Sequence, residues 1–148
     1  MAHNPWNISP GLNHVGAYQV SGRPFAQGEI NASAGNGTTV TFPEVTQWVQ
    51  IYNYDADNDC KVGFSELGLL GTAYTFPNGV AFTGKNYFKV PASGAFGPGI
   101  SPVMQIKVSE LHLKDADDVY VVAGLTNILA ARCSGSSGPS WSGSLGVG

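Results

Sequence analysis

Charge is scarce in this chain. Only 11% of its 148 residues are Asp, Glu, Lys or Arg, less than half of the ~25% found in ordinary soluble domains. A protein that circulates alone keeps more surface charge for solubility, so the deficit points to a surface largely covered by partners. The seven basic residues (Arg23, Lys61, Lys85, Lys89, Lys107, Lys114 and Arg132) stand singly, and the formal net charge is −3. With no basic stripe to displace counterions from phosphates, nucleic acid is not an expected partner. Cysteine is short too. Cys60 and Cys133 are the two present, too few for a disulfide framework and expected as reduced thiols. Apolar runs such as Val119 to Leu125 fall far below the ~20 residues that cross a bilayer. The opening MAHNPWNISPGLNH has neither a basic start nor an apolar stretch, so no secretory signal and no membrane partner are expected.

Motifs that carry chemistry are missing as well. His3, His14 and His112 show no HxxxH, HExxH or paired Cys/His spacing, which argues against a zinc site. His112 sits opposite leucines in a strand-like run and is expected at the surface. No G-x-S-x-G elbow, P-loop or helix-opening G-x-G-x-x-G exists. Gly94-Ala95-Phe96-Gly97-Pro98-Gly99 is glycine-rich, but its proline bars a following helix. The acids gather in two turns, where a raised catalytic pKa is hard to arrange. The chain is expected not to be an enzyme.

What is abundant is punctuation. Twenty glycines and nine prolines cut the chain into short runs rich in Val, Ile, Thr, Tyr and Phe, the pattern of many short strands. The strands are predicted at His14–Val20, Gln27–Ala32, Thr38–Phe42, Thr46–Tyr54, Cys60–Ser65, Asn86–Val90, Val103–Leu113 and Val119–Gly124. Helix is limited to single turns at Glu66–Leu70 or Asn127–Arg132. The expected fold is all-β: a single-domain antiparallel β-sandwich, jelly-roll-like, over residues 14–132. Residues 1–13 form an extended arm and residues 133–148 a flexible Gly/Ser-rich tail.

Two runs carry detail. From Val45 to Tyr54, alternation puts Val45, Val49 and Ile51 on one face and Trp48, Tyr52 and Tyr54 on the other. This predicts a central strand with a core behind it and an aromatic surface in front. In Val103–Leu113, Met104, Ile106 and Val108 share a parity that Leu111 and Leu113 do not. Either a β-bulge near Ser109 or Glu110 restores them to one core, or two faces are buried.

The stretch Asp55 to Glu66 places Asp55, Asp57, Asp59 and Glu66 at positions 1, 3, 5 and 12 of a calcium loop, with Val62 at the apolar position 8. Position 6 is Cys60 where a sharp turn needs glycine, and the flanks read as strands. A weak Ca²⁺ site and a hairpin tip rich in turn-forming Asp are the two readings. Asp115, Asp117 and Asp118 form a second acidic turn, which can share an ion only if both tips lie at one end of the sandwich.

The segments Pro10-Gly11-Leu12-Asn13-His14-Val15-Gly16-Ala17-Tyr18-Gln19-Val20-Ser21-Gly22-Arg23-Pro24-Phe25, Lys61-Val62-Gly63-Phe64-Ser65, Asn86-Tyr87-Phe88, Ile106-Lys107-Val108-Ser109-Glu110-Leu111 and Val122-Ala123-Gly124-Leu125-Thr126-Asn127-Ile128 resemble small virion structural proteins of marine viruses and cyanophage-like tailed phages. The resemblance spans most of residues 10–128. It implies a capsid decoration, cement or minor capsid protein, made in a host cytoplasm and carried in the virion. The implied partners are further copies of itself, as a homo-oligomer, and a major capsid protein. Trp6, Trp48, Tyr52, Tyr54 and Trp141 are the expected contact residues, and deleting residues 1–13 or 133–148 is expected to weaken assembly without unfolding the domain. A carbohydrate-binding β-sandwich module with a weak calcium site is the alternative, and a penton-like jelly-roll capsid protein the third reading.

Overall fold

In the computed structural model, residues 10–19, 22–71, 74–75, 78–79, 81–82 and 85–148 are described. In chain order the elements are helix α1 (Val15–Gln19), β1 (Arg23–Ile30), β2 (Thr38–Thr41), β3 (Glu44–Asn53), β4 (Cys60–Gly63), helix α2 (Glu66–Leu70), β5 (Tyr74–Thr75), β6 (Ala81–Phe82), β7 (Tyr87–Val90), β8 (Gly99–Ile100), β9 (Glu110–Lys114) and β10 (Val119–Leu129), closed by a 3-10 turn at Ala130–Arg132. Two four-stranded antiparallel sheets face each other, one ordered β1-β10-β3-β8 and the other β2-β9-β4-β7, beside a small β5-β6 hairpin. The pairing is nested: β1 with β10, β2 with β9, β3 with β8, β4 with β7. The chain therefore behaves like one long hairpin folded over into two layers.

Period-two alternation builds the core. Val49, Ile51 and Asn53 of β3 are buried, whereas Trp48, Gln50 and Tyr52 are half-buried on the outer side. Val119, Val121 and Ala123 of β10 join them from the same sheet, and Val40, Val62, Leu111 and Leu113 face them from the other. Phe42 is fully buried and meets Phe25 edge-on at 4.9 Å. Each such side chain contributes about 1.5–3 kcal/mol on burial. A second cluster of Ala17, Val45, Ile128 and Cys133 seals one end, with Leu12, Tyr18 and Trp141 packed against it. Both cysteines are free and buried. Burial pushes the Cys60 thiol up to about 12, against a smaller lowering by a backbone contact from Lys114.

Four expectations need correction. The run from His14 is helical, not extended: Ala17 faces the second cluster while Val15 is left 64% exposed, a spacing that a strand would not give. The parity break in 103–113 is neither a bulge nor two buried faces of one strand. Met104 bridges Val49 in the first sheet, and Glu110 opens β9 in the second, so the chain changes sheets between them. His112 is buried rather than at the surface. Its ring lies 3.2 Å from Thr39 Oγ1 and 3.1 Å from Glu110 Oε1, on the face of its sheet where α2 lays Leu69 against Gly63.

The segment after Arg132 is the fourth, because it is a packed strap rather than a flexible tail. Ser140 is fully buried, and its hydroxyl accepts the Ser109 N–H at 3.0 Å. Ser65 Oγ donates to Val147 O at 2.8 Å, and the Trp141 indole N–H donates to Lys107 O. Gly68 makes room for this seat, since a Cβ there would overlap the Val147 carbonyl.

Candidate contact surfaces

The register places four loops at one end of the sandwich: 31–37, 54–59, 91–98 and 115–118. All six aspartates of the chain lie in the second and fourth of these loops. The two acidic turns therefore do meet, and Asp55 is the knot between them. Its carboxylate accepts backbone N–H groups from Asp57 at 2.8 Å, Asn58 at 3.0 Å and Asp117 at 3.0 Å. Led by the Asp57 N–H, these donors outweigh burial and hold the Asp55 carboxyl at about 2. The neighbouring Asp55 charge raises the Asp117 carboxyl in turn.

This is turn chemistry, in which a short acid satisfies the backbone of a tight bend. Asp59 accepts Ala92 N–H at 3.1 Å and faces Lys89 at 3.6 Å. Asp57 is exposed, and Glu66 opens α2 beyond the far end of β4, 3.4 Å from the Asn36 amide. Asp115 pairs with Lys61 at 2.6 Å, which lowers its carboxyl. The structure does not bring Asp55, Asp57, Asp59 and Glu66 into one cage. Among the described residues no group of three or more His, Cys, Asp or Glu side chains converges as ion ligands do.

The outer face of the first sheet is the second feature. Its cross-strand pairs are Trp48 with Gly124, Gln50 with Val122 and Tyr52 with Tyr120, flanked by Pro24 and Ala26 of β1. None of these residues is charged. The indole of Trp48 lies on Gly124, where a Cβ would come within 2.8 Å of Cδ1 and closer still to Nε1. Tyr120 covers Gly28 in the same way, with a Cβ there 2.6 Å from Cε1. Tyr54 meets Tyr120 edge-on at 5.0 Å, and Tyr52 donates its hydroxyl to Gln50 Oε1 at 3.0 Å. Rings seated on glycine are ordered before any partner arrives.

Trp48, Tyr52 and Tyr54 thus share one surface as their spacing implied. Trp141 does not join them there; it packs against both core clusters through the strap. Trp6 lies outside the described residues. Sequence reasoning missed Tyr120, although its alternation with Val119 and Val121 marks it as outward-facing. It also missed the glutamines of the neighbouring groove, whose long polar side chains carry no pattern. The fold and these surfaces define an antiparallel β-sandwich with an aromatic outer face, bordered near Tyr120 by Glu29 and Asp118. Comparison with known protein families, with curated proteins and with solved structures returns no match for this chain.

Proposed function

We propose that this chain is a non-enzymatic structural subunit of a virus particle, of the decoration, cement or minor capsid kind, which acts through subunit contacts. The observation that carries the reading is the aromatic outer face of the β1-β10-β3-β8 sheet, with Trp48 and Tyr120 pre-seated on Gly124 and Gly28 among uncharged cross-strand neighbours. A face of this kind gains free energy when an apolar partner covers it, at about 25 cal/mol per Å². Pre-ordered rings lose little rotamer freedom in that step.

The nested strand order supports a jelly roll, an architecture that viral capsid and lectin domains share. Fold analogy alone fixes no role, but it agrees with the sequence resemblance. The ionisable groups at the loop end favour the non-catalytic reading, because Asp55, Asp59 and Asp115 are committed to turns and ion pairs. Partners are then further copies of this chain and the shell protein that it covers.

A charge placed in the face tests the reading. Val122→Asp leaves the buried face of β10 untouched, so the purified domain should keep its β-rich circular dichroism. Incorporation into particles, read by quantitative mass spectrometry, should fall at least tenfold. Unchanged incorporation would remove this face from the assembly.

A further inference from the structure

Three surface cavities toward the end of the sandwich away from the acidic loops adjoin at Gln105, which lines all three, and together form an interrupted groove. The first holds Trp48, Gln47, Gln50 and Gln105. The second adds Tyr18 and Lys107 to Gln47 and Gln105. The third continues past Gln105 and Lys107 to Trp141. An indole therefore stands at each end, with amides and one cation between. No carboxylate lines any of the three.

We infer that this groove binds a linear, uncharged oligosaccharide, a property that goes beyond a structural role in a particle and does not depend on it. Sugars present flat C–H faces for aromatic rings to stack on and hydroxyl rims that exchange hydrogen bonds with amides. The groove supplies both in order. Trp48 has one face on Gly124 and borders the cavity.

The amides are held in place as well. Gln47 donates to Tyr18 O. Gln50 donates to Ser101 O at 3.1 Å and accepts the Tyr52 hydroxyl. A side-chain amide has two donors and two acceptor sites, so its two contacts orient Gln50 without exhausting it. Fixing it beforehand lowers the entropic cost of binding. Gln105 is exposed and belongs to all three cavities.

A peptide adding as a strand is the competing occupant, and the backbone disfavours it. The edge of β3 beside the groove is already used by residues 101–108: Ser101 N–H donates to Ile51 O, Met104 N–H to Val49 O and Thr46 N–H to Val108 O. What remains on offer is ring and amide chemistry. The sequence alternative tied sugar binding to the Asp-rich loop and calcium. The groove lies at the other end of the strands, so its binding is independent of that ion.

Titrating the full chain with cellohexaose, xylohexaose, maltohexaose and chitohexaose, with and without EDTA, tests this. The readouts are the Trp indole N–H resonances and calorimetry. At least one sugar should shift the Trp48 resonance saturably, equally in EDTA. Trp48→Ala should weaken that binding at least tenfold, and Gln105→Ala severalfold. Tyr54→Ala, outside the groove, should change nothing. Gln105 is exposed, so its variant stays informative if Trp48→Ala fails to fold. No shift with any of the four sugars, binding that survives Gln105→Ala unchanged, or binding abolished by EDTA each overturns the inference. Particle incorporation is read separately and can fail while sugar binding stands.

Discussion

Asp55 shows how one side chain sets a whole end of the molecule. Its folded-state carboxyl sits at about 2, below the ~4 of an unfolded Asp. A group with a depressed folded pKa stabilises the fold above its unfolded value, and that stability drains away as pH falls toward the folded one. Denaturant midpoints should therefore drop between about pH 4 and pH 2. Asp55→Asn should cost about 1–3 kcal/mol at neutral pH and flatten that slope. A variant with the wild-type acid profile would show that the knot carries no such weight.

At Gly124 the constraint is steric. Gly124→Ala drives a methyl into the Trp48 indole, an overpacking that costs about 1–3 kcal/mol and should change Trp fluorescence. Cys60 gives a third check at this scale. With burial holding its thiol near 12, the thiolate that alkylates is nearly absent at neutral pH. Iodoacetamide should label it in urea and not in buffer.

At the scale of elements, the strap after Arg132 is where composition misled. Gly and Ser read as flexible because they carry little to bury. Here Ser65, Ser140 and the Trp141 indole each make specific hydrogen bonds across long sequence separations. Truncation after Arg132 should therefore destabilise the domain, not merely free a tether, and Trp141→Ala should cost about 3 kcal/mol, as read by thermal unfolding. Strand β3 was legible because Val49, Ile51, Trp48 and Tyr52 alternate without interruption. The β9 region was not, since a parity change looks the same whether a strand bulges or its chain crosses to another sheet. Helix α1 escaped notice because five residues with one buried alanine carry no helical period. The surface residues Trp48, Tyr52 and Tyr54 followed from alternation, whereas the groove depends on Gln47, Gln105 and Trp141, which only the fold brings together.

Over the whole molecule, the aspartates and the aromatic groove lie at opposite ends of the strands. The six aspartates occupy one end, the first sheet shows an aromatic outer face bordered by Glu29 and Asp118 near Tyr120, and the amide-lined groove sits toward the other end. The most direct test is quantitative mass spectrometry of purified particles produced from the genome that encodes the chain. Many copies per particle, in fixed ratio to the shell protein and cross-linked to it through the Trp48–Tyr120 face, are expected. Absence of the chain from such particles, or of any particles at all, would contradict the account.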